Sequence, residues 1–330
     1  MIPDESQTPD DAALEYVSDH LDITRAAPDR RTITDPVVAA EQLGAATRAR
    51  IAALLQRFPG RPTIMLSGGV DSVLVAAITA EAGADPRAVT VATADSVDAT
   101  AAAAAAAALG VEHHIVWLDD DAVAELARTA AAALGIAELW EVTAAIPILA
   151  VRDELTAGPI LTGSGADAIV GGGRTLHHPI DSAAAVVELD ELIRRESGDN
   201  FRRERLVPHF YEALLGGDAP RLVHVFQTAH MWRIAERLAP PALFGHHPAD
   251  GPLFDKFALR VACERLLPAG HEELAWTVKN PVQRSSGIMS ALHRAGRAYA
   301  ATLPGATTYT DPRTEPADLL ATRLYLANLA

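Results

Sequence analysis

The chain is poor in cysteine, in aromatic residues and in positive charge. Its 330 residues include one cysteine, Cys263, which excludes an internal disulfide and a cysteine-rich zinc site. That thiol follows the apolar run Phe257-Ala258-Leu259-Arg260-Val261-Ala262 and reads as a core residue of a cytoplasmic protein. Lysine and arginine total 28 against 43 acidic residues, a formal net charge of −15, which argues against nucleic acid and anionic membrane as partners. A local phosphate site stays open, because a bound cation brings its own charge. No apolar run reaches the length of a membrane span, since the alanine tract is weakly apolar and closes at Gly110. Met1-Ile2-Pro3-Asp4-Glu5-Ser6 lacks the basic and apolar regions of a signal peptide.

What is present is enough for a large core: 49% hydrophobic residues with 22% charged. Residues 1–35 are polar and acidic and predict a mobile or loosely packed arm with one short helix near 12–21. Asp35-Pro36 then reads as a helix start, cap followed by proline at the first helical position, with the helix running to about residue 58. Strands are expected at 63–66, 88–94, 111–118 and 159–161, and helices at 70–82, 98–109 and 119–134. A further helical stretch should break around Pro147. Strands alternating with helices predict an α/β region with a parallel sheet, residues 36–175. Beyond Gly173 strand signals are scarce. Segments 182–197, 202–215, 220–238, 255–267 and 287–302 read as helices, so residues 176–330 predict an all-helical half packed on the first.

The stretch that organises the chain is Ser67-Gly68-Gly69-Val70-Asp71-Ser72, between the apolar strand Ile64-Met65-Leu66 and the helical run that begins at Val73. Strand, glycine turn and helix N-terminus present backbone N–H groups to a phosphate. The glycines allow close approach, Ser67 and Ser72 can donate to phosphate oxygens, and Asp71 can hold Mg²⁺. The lysine that a Walker A loop requires is absent. A second cluster runs Leu161-Thr162-Gly163-Ser164-Gly165-Ala166-Asp167-Ala168-Ile169-Val170-Gly171-Gly172-Gly173. Alone it satisfies G-x-G-x-x-A, which makes a Rossmann NAD-dependent oxidoreductase a rival, although Arg174-Thr175-Leu176 leads on into helices.

The first stretch resembles the SGGxDS pyrophosphate loop of the ATP pyrophosphatases. The two stretches together resemble the synthetase domains of asparagine synthetases and β-lactam synthetases, whose second motif reads S-G-x-G-[SA]-D-x-x-x-G-G. Here Thr162 replaces the usual serine, and Ser164 stands where relatives carry Glu or Tyr. Asp98 with His113-His114, Lys256-x-x-Leu259-Arg260 with Leu267-Pro268, and Trp276-x-x-Lys279 with Ser285-Ser286-Gly287 resemble three further family segments in the right order.

The resemblance implies an adenine nucleotide alpha-hydrolase-like (PP-loop) half and an ATP- and Mg²⁺-dependent ligase. Such an enzyme adenylates a substrate carboxylate, releases pyrophosphate, and lets an amine displace AMP. It implies pyrophosphate contacts from Ser67, Gly68, Gly69, Asp71 and Ser72, with Asp71 and Asp167 on Mg²⁺. Ala92 and Thr93 would line the adenine through backbone groups, Thr162 and Gly163 the rest of the nucleotide, and Lys279 the phosphate and transition-state charge. Relatives that use glutamine begin with a catalytic cysteine, and no cysteine precedes Ser67 here. The expected nitrogen source is therefore ammonia, an amine, or a separate glutaminase, and the carboxylate a small molecule or short peptide from specialised biosynthesis. A homodimer and a non-cleaving ATP-binding scaffold are also compatible with these features. The family segment E-A-R-V-P-F-L-D is poorly kept, with Glu236-Arg237-Leu238-Ala239-Pro240-Pro241 and Pro252-Leu253-Phe254-Asp255 as competing matches. His224, Gln227, His230 and Arg233 recur at helical spacing as an acceptor face, with His230 or Glu236 as general base. Glu138 and Glu141 beside Trp140 are weaker acceptor candidates, and His177-His178 and His246-His247 read as turn histidines.

Overall fold

The computed structural model describes residues 22, 23, 25–200, 206–247, 251–278 and 282–328. Asp35 caps the first helix, α1 (Pro36–Arg57), accepting the Val37 N–H at 2.8 Å with Pro36 at the first turn. There follow β1 (Thr63–Met65), α2 (Val70–Glu81), β2 (Arg87–Ala92), α3 (Asp98–Leu109) and β3 (Glu112–Trp117). Next come α4 (Asp120–Leu134), α5 (Leu139–Ala150), β4 (Ile160–Thr162), α6 (Ala166–Val170), α7 (Ala183–Asn200) and α8 (Phe210–Leu215). The remainder is β5 (Leu222–His224), α9 (Ala229–Ala235), α10 (Pro240–Leu243), β6 (Gly245–His246), β7 (Leu253–Phe254), α11 (Phe257–Glu264), α12 (Val282–Ser285), α13 (Ile288–Thr302) and α14 (Ala317–Ala327).

The main sheet has the order β3-β2-β1-β4-β5, all neighbours parallel, with Met65 opposite Thr162 and Thr162 opposite His224. Successive strand residues feed two different cores, as the pleat requires. Ile64, Leu161 and Val223 join α1, α2, α6, α9 and α11 on one face, while Ile160, Leu222 and Val89 join α4, α5, α8 and α13 on the other. Both cores draw residues from either side of position 175, so the carboxyl-terminal helices close over the sheet rather than standing apart from it.

Three expectations need correction. The 220–238 segment is not one helix: Leu222-Val223-His224 forms β5, the fifth strand, and only Ala229–Ala235 within it is α-helical. The helical half therefore contributes a strand to the sheet, and a short antiparallel ladder of β6 with β7 as well. Pro147 does not break its helix, since α5 carries it inside and ends three residues later at Ala150. The amino-terminal arm is not loosely packed where it is described. Ile33 pairs with Leu238 in a parallel bridge, donating to Arg237 O at 2.9 Å while its carbonyl accepts from Ala239 N–H at 2.8 Å. The Arg31 side chain is fully buried and holds Asp190 at 3.0 Å. The expected helix near 12–21 lies outside the described residues.

Candidate active site

In an open parallel sheet, ligands bind beyond the carboxyl ends of the strands where the chain order reverses direction. Here that point lies between β1, which leads outward to β2 and β3, and β4, which leads the other way to β5. Both glycine motifs occupy it: residues 67–72 leave β1, and residues 163–173 leave β4.

The first loop ends in α2, whose N-cap is Gly69 and whose first turn has no side-chain cap. Those N–H groups point beyond the sheet with the positive end of the helix dipole behind them, which suits a phosphate. The loop is braced from within. Ser72 Oγ donates to Gly69 O at 3.0 Å, accepts from the Ser67 N–H at 3.1 Å, and lies 3.1 Å from Ser67 Oγ. Ser72 is buried, so its first role is to set the loop's shape. The floor of the loop is α3: a Cβ on Gly68 would stand 2.6 Å from Ala101 Cβ and 2.7 Å from the Ala102 nitrogen.

The second loop crosses directly over the first. A Cβ on Gly163 would come within 2.7 Å of the Asp71 carbonyl carbon and the Ser72 nitrogen, so only glycine admits this approach. The crossing brings Asp71 and Asp167 to one place, and a residue absent from the expected site set joins them there. Lys256 Nζ donates to Asp71 Oδ2 at 2.6 Å and to Asp167 Oδ1 at 2.5 Å. Lys256 is 12% exposed, Asp71 17% and Asp167 67%, so the cluster is closed at the sheet and open on the Asp167 side. Burial alone would lower the lysine's pKa; attraction to the two carboxylates outweighs it and leaves the ammonium more firmly charged than an ordinary lysine.

Lys256 stands at φ 51, and among the described residues no other non-glycine has a positive φ. The segment around it is pinned. Asp255 accepts from the Gly173 N–H of the second loop and pairs with Arg260 at 3.0 Å. Arg260 also donates to Ala275 O and Thr277 O, each at 3.0 Å, and so holds the strand of chain that leads to Lys279. Lys279 itself lies outside the described residues. The far end of its segment docks at β2: Ser286 O accepts from the Thr93 N–H at 2.9 Å, and Ser285 Oγ donates to the buried Asp98 at 2.9 Å. The Lys256 motif thus reaches the two glycine loops, the chain near Trp276 is tied to it through Arg260, and the Ser285 motif docks at the end of β2.

At the adenine position the expected backbone groups already have partners. The Ala92 carbonyl accepts from Leu118 N–H at 2.8 Å, the Thr93 carbonyl from Ser96 N–H at 2.9 Å, and the Thr93 N–H is given to Ser286. Each carbonyl retains a second lone pair for an amino group. Thr162 is tied to His224: its Oγ1 lies 2.7 Å from Nδ1, while Nε2 lies 2.7 Å from the Tyr211 hydroxyl. That His224 side chain belongs to β5 and not to a helix face shared with His230. Gln227 packs under Gly165, 3.1 Å from where its Cβ would be, and His230 and Arg233 lie exposed on α9. The four residues do not form one acceptor face. Desolvation, then the charge of Arg233, push the His230 pKa below the ordinary histidine value.

Glu236 is buried and committed to ion pairs. It accepts from Arg30 at 2.8 Å and lies 3.7 Å from Arg194, inside the network that fastens the amino-terminal arm. Its expected role as general base is withdrawn on that geometry. Glu138 caps α5, accepting the Glu141 N–H at 2.8 Å. His177 and His178 both turn to Glu188, and His247 stacks on Trp276 with centroids 3.9 Å apart. Cys263 is buried in the core, and burial pushes its thiol up to about 12.

The sequence model of the asparagine synthase family matches residues 54–238, a span that contains both loops. The chain belongs to the asparagine synthase family. At that level it is an ATP-dependent, amide-forming synthetase. Among solved structures, NMN synthetase from Francisella tularensis aligns at 15% identity with a TM-score of 0.31, over 62% of this chain and 97% of that one. No curated protein matches the sequence. The Rossmann alternative loses its footing, because the G-x-G-x-x-A run follows β4 and opens a helix of only five residues.

The family uses ATP with Mg²⁺, and the donor set here suits that ion. Among the described residues no group of three or more His, Cys, Asp or Glu could hold a metal. Two carboxylates converging on one cation are what Mg²⁺ takes when waters and phosphates complete its shell. Gly172 keeps the place clear, since a Cβ there would overlap Asp167 Oδ1 and Lys256 Cε.

Proposed function

We propose that the protein adenylates the carboxylate of a small molecule or short peptide and passes the acyl group to ammonia or an amine, in a specialised biosynthetic setting. The observation that carries this reading is the meeting of Asp71 and Asp167, from loops after two different strands, on a single ammonium beside an uncapped helix N-terminus. In the first step a carboxylate oxygen attacks the α-phosphorus, the bond to the bridging oxygen breaks, and pyrophosphate leaves. In the second the amine nitrogen attacks the acyl carbon, AMP leaves with the bonding pair, and the nitrogen's proton passes to a base or to solvent.

This chain's residues serve the first step by holding charge in place before it develops. The first-turn N–H groups of α2 and the hydroxyl of Ser67 face the departing phosphates. Asp71 and Asp167 would hold Mg²⁺, which neutralises phosphate charge when bound. Lys256 supplies positive charge on the same side, and Arg260 holds the chain at Ala275 and Thr277 that leads to Lys279, the residue that would meet the phosphate charge. Gly163 keeps the two loops in contact so that these groups act on one nucleotide. The amine comes from ammonia, from the substrate, or from a separate glutaminase.

The test is product analysis with ATP, Mg²⁺ and a panel of acids and amines. AMP and pyrophosphate, formed only when an acid is present, support the reading; ADP as the sole product rejects it. Nucleotide binding without cleavage for any acid would identify a scaffold instead.

A further inference from the structure

Lysine is nearly absent from this chain. Of its 28 basic residues two are lysines, Lys256 and Lys279, and the rest are arginines. Among the described residues arginine supplies most of the other contacts with acids, from Arg48 with Glu81 on the surface to Arg31 with Asp190 in the interior. At Lys256 the cation must instead fit between two carboxylates, Asp71 Oδ2 at 2.6 Å and Asp167 Oδ1 at 2.5 Å. A planar guanidinium is too broad for that place; a compact ammonium on a flexible stem fits it. The place is also kept open and held in register: Gly172 offers no Cβ to fill it, and Asp255 and Arg260 fix the backbone around Lys256 even though φ there is 51.

These are the carboxylates that would take the metal, so the inference rests on the ATP-site reading given above. We infer that Lys256 is an internal substitute for the divalent cation. It holds Asp71 and Asp167 together while the nucleotide is absent, and metal enters only with the nucleotide. The charge count gives the reason. Among the described residues, the two carboxylates and the one ammonium between them leave a single net negative charge, too little to strip water from a bare dication that would then lie beside the ammonium. A triphosphate reverses this balance. It brings enough negative charge for both cations, so Lys256 can yield its carboxylate contacts to the metal and turn its charge to the anion. Without the ammonium, the two carboxylates of an empty site would repel each other and spread Asp167, the exposed member, into solvent.

The scarcity of lysine makes the test direct. Protein labelled with ¹⁵N at lysine Nζ gives signals from two side chains, distinguished by a Lys279→Arg variant. The Lys256 signal should stay in place when MgCl₂ is added alone and move when MgATP is added. In parallel, Mn²⁺ binding followed by electron paramagnetic resonance should be weak for the wild type without nucleotide. It should be at least ten-fold tighter for Lys256→Met, and weak again for Lys256→Met with Asp167→Asn. Wild-type protein that binds Mn²⁺ alone as tightly as Lys256→Met overturns the inference. So does a Lys256 signal that moves with MgCl₂, or one that stays unmoved while ATP binds, and in both cases the adenylation reading stands. Absence of any nucleotide binding overturns both. If Lys256→Met fails to fold, the wild-type spectra alone decide the matter.

Discussion

Two clusters of charge among the described residues are built for opposite ends. At the strand ends one ammonium, Lys256, serves two carboxylates, with glycines on either side and Asp167 67% exposed. Beneath the amino-terminal arm, Arg31 and Arg194 surround Asp190, whose oxygens also accept the Ala27 N–H at 2.8 Å. There the guanidinium groups also reach carbonyls of separate segments: Arg31 donates to Ala235 O and Leu238 O, and Arg194 to Ile23 O. A cluster closed in on every side and bonded to several segments stays shut, and its value is to fasten segments far apart in sequence. A cluster with one cation, room beside it and an open side can exchange partners. The presence of buried charge does not by itself mark an active site; the room left around it does.

The contrast can be broken at either end. Asp71→Asn should lower acid-dependent ATP–pyrophosphate exchange by about 10²–10³-fold, the scale of losing one fixed electrostatic partner, while circular dichroism stays unchanged. Retained exchange would remove Asp71 from the site. Asp190→Ala should do the reverse. It should cost about 3–5 kcal/mol of stability in denaturant titrations, because two buried guanidinium groups lose their counter-ion, yet leave turnover per folded molecule intact. Gly163→Ala should cost about 1–3 kcal/mol by overpacking against backbone atoms that cannot yield, with nucleotide affinity falling alongside. Little change in either would mean the loops are looser than their 2.7 Å approach implies. Glu236→Gln should lose about 1 kcal/mol of stability and leave the pH–rate profile alone. A shifted profile would return Glu236 to the chemistry.

Acid should part the two clusters as well. Burial alone would raise the Asp190 pKa, but the bonds from Arg194 and Ala27 and the charge of Arg31 hold it below the ordinary aspartate value of 3.8. Its folded pKa therefore lies under its unfolded one, so its contribution is complete above the unfolded value and vanishes as pH falls through the folded one. The arm should detach only below about pH 4, followed by hydrogen exchange of residues 25–35. Release of the arm at neutral pH would contradict the network.

Local signals made much of this legible beforehand. The cap at Asp35-Pro36, the turn glycines and the alternation of short strands with helices all act within a few residues, and α1, α2, α3 and the first four strands fell close to where they were expected. β5 was not legible, because its His224 pairs with Thr162, 62 positions upstream, and three residues carry no period. Glu236 was misplaced for the same kind of reason: its nearness in sequence to His230 and Arg233 is visible, whereas its partner Arg30 is 206 positions away. Lys256 was visible as a motif residue. Its destination was not, since Asp71 is separated from it by 185 positions and only the folded sheet brings them together.

The helix with the least chemistry sets a dimension of the site. α3 is almost entirely alanine, and its residues at 101 and 102 stand directly under Gly68. Each added methylene there would press on the loop at Gly68 and lift it away from Asp167. Tolerance to substitution along α3 should therefore rise and fall with the helical turn: severe at Ala102, Ala105 and Ala106, which are buried, and mild at Ala104 and Ala107, which face solvent. A tract that looks like filler would then act as a spacer, and enlarging it would detune ATP binding from beneath.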